Sequence, residues 1–215
     1  MLNKTVLFTR PKHESTTSYL FYWSADLIMY AKSRFISVHD IQAEKVNRKE
    51  VSSRIKKMNP NYVHLNGHGS AEVIGGHNNE IILDSKNAPL LQNTIVYALS
   101  CQSASRLGPL TTSLGASAYI GYKEDFIFFT DNSKYAHPTQ DDTAGLFLKP
   151  AMKISESILK GKTVEEAVKI GKDSFTESML KAANSEVQTG HSAYIPYLFW
   201  NRRNLTYSGE SKATI

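Results

Sequence analysis

The run Thr94-Ile95-Val96-Tyr97-Ala98-Leu99 constrains the fold more than any other segment. It carries no charge, so neither face of an extended strand here suits water. Such a strand belongs in a parallel sheet covered on both sides. Parallel neighbours need long crossovers, and the sequence supplies them. Thr5 to Thr9 reads as a first strand, stopped by Pro11, and Phe35 to His39 as a second. Tyr62 to Leu65 is a third, the Thr94 run a fourth, and Ala118 to Tyr122 a fifth. Between them, Thr16 to Ala31 sets Tyr19, Leu20, Trp23, Leu27 and Tyr30 at helical spacing. Val51, Ile55 and Met58 mark one face of a helix ending before Asn59-Pro60. Glu72 to Asp84 reads as a small hairpin with Gly75-Gly76 and Asn78-Asn79 as turns.

Downstream, Phe126 to Asp142 shows no clear periodicity. Asp141-Asp142 opens a predicted helix to about Lys160, kinked at Pro150. Thr163 to Glu166 is a capping box that starts another. Leu198 to Tyr207 is expected to be a terminal strand region. Alternation of this kind implies an α/β chain with a parallel, doubly wound sheet in one domain, residues 1–215. The length of 215 residues suits one such domain rather than two.

The net charge of +5 is mild and spread out. Its densest cluster, Arg54-Ile55-Lys56-Lys57, falls on a helix and reads as a solvated face, so no nucleic-acid partner is expected. One cysteine, Cys101, excludes an internal disulfide and a cysteine-based zinc site. The stretch Met1 to Phe8 lacks a leader's long apolar core, and no apolar run approaches the roughly 20 residues that span a bilayer. A soluble, cytoplasmic protein without membrane contact is expected, and cysteine chemistry there is catalytic or incidental.

In open α/β sheets, ligands bind beyond the carboxyl ends of the strands. His68 follows the third strand inside Asn66-Gly67-His68-Gly69-Ser70, and Cys101 follows the fourth. Neighbouring parallel strands would bring a thiol and an imidazole to one rim, as a nucleophile and its base require. Gly67 and Gly69 let the backbone turn sharply and approach a substrate. The amides of Gly69 and Cys101 are candidates for an oxyanion hole. Ser103, Ala104 and Ser105 suit a helix N-terminus whose dipole would favour a thiolate. The competing readings are a small buried Cys101 and a structural histidine.

Other chemistries fail on spacing. A glutamine-amidotransferase site needs its cysteine before its histidine. Only four residues separate Cys101 from Arg106, too few for a cysteine-phosphatase loop. His64 and His68 have the spacing of a zinc-protease helix, but they lie in and after a β-type run. The chain also has no Gly-rich phosphate-binding lysine loop.

The strand ending in Asn66-Gly67-His68-Gly69-Ser70 resembles the His-Gly motif of the caspase-like cysteine peptidases, which include caspases, legumain, gingipain and separase. Val96 to Ala104 resembles their apolar strand ending in the nucleophile. Leu107-Gly108, Leu114 to Gly121 and Ile158 to Ala167 resemble bacterial CHAT-domain proteases most closely. The resemblance runs from about residue 60 to 180. It departs at Gln102 and Ser103, where an acidic residue and a threonine often stand, and in lacking helical repeats.

The resemblance implies a caspase-like three-layer sandwich, a mostly parallel sheet of about six strands flanked by helices. It makes His68 the general base, Cys101 the nucleophile, and the Gly69 and Cys101 amides the oxyanion hole, with no metal and no cofactor. The substrate would be a protein or peptide. An acidic pocket wall would select Arg or Lys before the cut bond, with Asp125 and Glu124 as candidates, then Asp84 and Asp131; solvated loop carboxylates are the alternative. Thr130 to Gln140 is expected to gate the cleft or be cut on activation. Regulation would fall to a partner protein, to loops or to processing, plausibly in a bacterial defence or cell-death module. An inactive module of the same fold that binds a partner is the competing reading; a non-proteolytic hydrolase or nucleotide-binding domain at the same rim is a third.

Overall fold

The computed structural model describes residues 4–184 and 190–215. Met1, Leu2 and Asn3, the start of the segment read for a leader, lie outside them. The chain begins with β1 (Thr5–Arg10), α1 (Ser15–Trp23), α2 (Ala25–Ser33), β2 (Ser37–Gln42), α3 (Arg48–Met58) and β3 (Tyr62–Asn66). A small antiparallel hairpin, β4 (Ile74–Gly75) and β5 (Ile81–Leu83), precedes β6 (Ile95–Leu99), α4 (Leu107–Ser113) and β7 (Ala118–Tyr122). Then come α5 (Asp142–Leu159), α6 (Val164–Asn184), α7 (Ile195–Asn204) and β8 (Leu205–Gly209).

Six strands form one sheet in the order β2-β1-β3-β6-β7-β8, all parallel except β8, which runs against β7. Side chains alternate between its faces, as the period of a strand requires. Val6, Phe8, Tyr62, Ile95, Tyr97, Leu99, Ile120 and Tyr122 pack into one core with α1, α2, α5, α6 and α7. Leu7, Val63, Leu65, Val96, Ala98 and Tyr119 pack into a second with α3, α4 and the hairpin. Helices therefore cover both faces, giving the expected three layers.

The strand order fixes where ligands can bind. From β1 the chain goes out through α1 and α2 on the first face to β2. It returns through α3 on the second face to β3, on the other side of β1. That reversal opens a crevice between the carboxyl ends of β1 and β3, the switch point at which open α/β sheets bind ligands.

Three expectations change. The apolar stretch after β1 is two helices: Ser24 turns its hydroxyl back onto the Leu20 carbonyl, 2.7 Å, between them. The segment read as a terminal strand is α7 up to Asn204, with β8 only beyond it; Pro196 sits in the first turn, where its missing N–H costs nothing. The second strand starts two residues later than read, at Ser37. The capping box does form: Thr163 N donates to Glu166 Oε2 at 2.9 Å, and Glu166 N to Thr163 Oγ1 at 3.3 Å.

Candidate active site at the carboxyl edge of the sheet

β3 and β6 are parallel neighbours, with Asn66 beside Leu99. The loops that follow, Gly67-His68-Gly69 and Ser100-Cys101, therefore leave the sheet side by side. They touch. A Cβ on Gly69 would lie 2.7 Å from the Cys101 carbonyl oxygen and 2.9 Å from Ser100 Cβ. Gly67 has φ +151°, and a Cβ there would fall 2.0 Å from the Gly75 carbonyl oxygen. Neither position tolerates a larger residue without backbone movement. The hairpin holds the loop: Gly75 N donates to His68 O and Ser70 N to Val73 O, each 2.9 Å.

The His68 side chain is 44% exposed, and its Nε2 lies 3.4 Å from Glu14 Oε1. Glu14 comes from the segment after β1, across the switch point. It caps α1, accepting from Thr17 N at 2.6 Å and Thr16 N at 2.9 Å. Burial alone would raise its carboxyl; the two amides outweigh that and hold it below the usual carboxylate range. His13 lies beside Glu14 and His68, its ring centroid 6.3 Å from that of His68 and 5.2 Å from that of His77.

Cys101 is half-buried, and its sulfur approaches the Phe126 carbonyl at 3.9 Å. Burial pushes its thiol up, and the nearby Asp125 charge adds to this. The expected helix N-terminus is absent. Residues 101–106 form turns, with Gln102 at φ +55°, and α4 starts only at Leu107. That turn is bonded along the end of β7: Gln102 N donates to Glu124 O at 3.1 Å and Ala104 N to Tyr122 O at 3.0 Å. Among the described residues, the amides of Gly69 and Cys101 donate to no other group.

The structure brings Asp125 to Cys101. Its carboxylate accepts from Gln102 Nε2 at 3.0 Å, and its carbonyl accepts from the exposed Trp200 indole at 2.9 Å. Glu124 is exposed next to it. Asp84 is committed elsewhere, in a two-point ion pair with Arg48 at 2.8 and 2.9 Å, which holds its carboxyl down. Asp131 is exposed and caps a turn through Ser133 N, 2.9 Å. The 130–140 segment is tied at its ends, where Asp131 N donates to Asp141 at 2.7 Å and the Trp23 indole to Pro138 O at 2.9 Å.

Sequence reading missed His13, Glu14, His77 and Trp200. The first two follow the first strand, at the same edge as His68, but only the strand order brings them beside it.

A central, mostly parallel sheet with helices on both faces is the caspase-like architecture, and comparison with solved structures gives the same class. The complex of Porphyromonas gingivalis RgpB pro- and mature domains aligns at TM-score 0.61 and 10% identity, over 98% of this chain and 48% of that one. The Arg-specific cysteine proteinase gingipain R (RgpB) aligns at TM-score 0.61 and 11% identity, over 100% of this chain and 48% of that one. A structure described simply as a protease gives 0.58 and 14%, over 99% and 48%. The chain thus spans about half the length of each, and at these identities the likeness is one of fold. No protein-family model and no curated protein matches the chain. Among the described residues, no helix is long and apolar enough to cross a membrane.

Proposed function

We propose that this chain is a cysteine endopeptidase working through His68 and Cys101, with Glu14 positioning the histidine. The observation that carries the reading is the abutment of the Gly69 loop against Ser100-Cys101 at the edge where Glu14 meets His68. His68 takes the Cys101 proton, and the thiolate attacks a peptide carbonyl. The Gly69 and Cys101 amides receive the oxyanion. His68 protonates the leaving amine, and water then hydrolyses the thioester.

Asp125, with Glu124 beside it, is the proposed wall for a basic side chain before the cut bond; the Arg specificity of the gingipain neighbour supports that choice. The commitment of Asp84 to Arg48 removes support for Asp84 in this role. The CHAT-like motifs support a bacterial peptidase that cuts a protein partner in a defence or cell-death module; the strand–helix alternation supports one peptidase domain over residues 1–215, and the lone cysteine suits the cytoplasm. One observation favours an inactive partner-binding module instead: the burial that disfavours the Cys101 thiolate.

The test is cleavage of a diverse peptide library, read by mass spectrometry, for wild type beside Cys101→Ala. Cuts made only by wild type, after Arg or Lys, are expected. Equal cutting by both proteins sinks the assignment. With no cuts in either, failure of a peptide electrophile to label Cys101 would favour the inactive module.

A further inference from the structure

The crevice between β1 and β3 gathers more ligating groups than a cysteine peptidase needs. One ligand atom each from His13, Glu14 and His68 lie within 4.8 Å of one another. Zinc bonds of 2.0–2.1 Å in a tetrahedron set ligand atoms about 3.3 Å apart. The His68 Nε2 to Glu14 Oε1 separation is already 3.4 Å. The remaining separations, all within 4.8 Å, exceed that spacing by at most about 1.5 Å. His13 adds the second observation. Both its ring nitrogens, and Nδ1 of the adjacent His77, are shielded from solvent and make no hydrogen bond of good geometry, the Asn79 side chain only approaching the His13 ring. A shielded imidazole without a partner is costly, and a metal ion is one partner that removes the cost.

We propose that His13, Glu14 and His68 form a site for a divalent transition metal of the zinc class, whose binding switches the peptidase off by occupying the imidazole of His68. The regulatory half rests on the proposed peptidase; the site itself does not. Two imidazoles and one carboxylate with an open fourth position suit zinc. Calcium and magnesium prefer all-oxygen shells. The Thr16 and Thr17 amides that hold Glu14 each use one lone pair of a carboxylate oxygen, so they orient the ligand without blocking it.

The experiment is a cobalt(II) titration of the metal-free full chain, followed by visible absorption. One equivalent should give a tetrahedral d–d band that zinc displaces. His13→Ala should lose it, and so should His68→Ala, whose exposed side chain can go without harm to the fold. Cys101→Ala should keep it. In peptide cleavage, zinc should inhibit wild type and a chelator should restore it. His13→Ala, compared with its own zinc-free rate, should need at least about tenfold more zinc for inhibition than wild type. The site is overturned if wild type shows no one-equivalent band, if the band survives in His13→Ala, or if it depends on Cys101. Zinc that binds and speeds cleavage overturns the inhibitory role. If the chain proves not to be a peptidase, the regulatory half falls with that reading while the cobalt titration still decides the site.

Discussion

Acidification below pH 6.5 should weaken the fold through one buried residue of β3. His64 lies in β3, fully buried. Its Nε2 donates to Asn66 Oδ1 at 2.7 Å, and its Nδ1 accepts from Ser155 Oγ at 2.6 Å. Ser155 in turn accepts from the Tyr62 hydroxyl at 2.5 Å. Every donor in this chain of bonds has an acceptor only while the ring is neutral. Burial, with the Arg10 charge nearby, drives the imidazole from 6.5 down to about 4, although the bond to Asn66 acts the other way.

The direction of the effect follows from the two states. Above pH 6.5 both folded and unfolded rings are neutral. Between 6.5 and 4 only the unfolded ring takes a proton, so stability is lost as pH falls, and below 4 the loss stops growing. A drop from 6.5 to about 4 corresponds to about 3 kcal/mol in all, a large share of a typical domain's stability. Urea unfolding measured in steps from neutral pH to about pH 4.5, for wild type and His64→Gln, isolates it. His13, also pushed down by burial, acts alike in both proteins and cancels. Parallel pH dependences in the two proteins would refute the reasoning, as would an NMR titration of the His64 ring with its midpoint near 6.5.

Glu14→Gln should lower kcat about tenfold or more with KM little changed, because His68 loses the carboxylate that holds its ring; an unchanged kcat removes Glu14 from the mechanism. Gly69→Ala, whose Cβ would sit 2.7 Å from the Cys101 carbonyl oxygen, should cost about 1–3 kcal/mol of stability and most of the activity, read by melting and peptide cleavage. Asp125→Asn should lower the Cys101 thiol pKa, seen as faster alkylation near neutral pH, while selectivity for Arg or Lys falls. Slower alkylation would contradict the electrostatics.

The sheet was legible where its strands are buried on both faces. β3, β6 and β7 are buried throughout and read as apolar runs at nearly their true bounds. At the sheet edge, β2 is half-covered and carries His39, Asp40 and Gln42, so its ends blurred. The break at Ser24 was invisible because the apolar spacing continues across it. The expected strand from Leu198 runs through Phe199 and Trp200, both of which are exposed on the helix α7. At the candidate site, the nearness of the His68 and Cys101 loops could be read from two strand ends. Glu14 could not, because its place depends on strand order: only the reversal at β1 lays the first loop beside the third.

The setting of the Cys101 sulfur has a consequence for how long the protein survives in an oxidising burst. Peroxide attacks thiolates and largely spares thiols. Burial and the Asp125 carboxylate outweigh the Phe126 backbone and favour the protonated sulfur at rest. In the proposed peptidase, a peptide whose cationic side chain neutralised Asp125 would lift part of that protection just when the nucleophile is wanted. The idle protein should therefore resist conversion of Cys101 to sulfenic acid, and Asp125→Asn should lose that resistance. Mass spectrometry after a timed peroxide pulse would measure both rates.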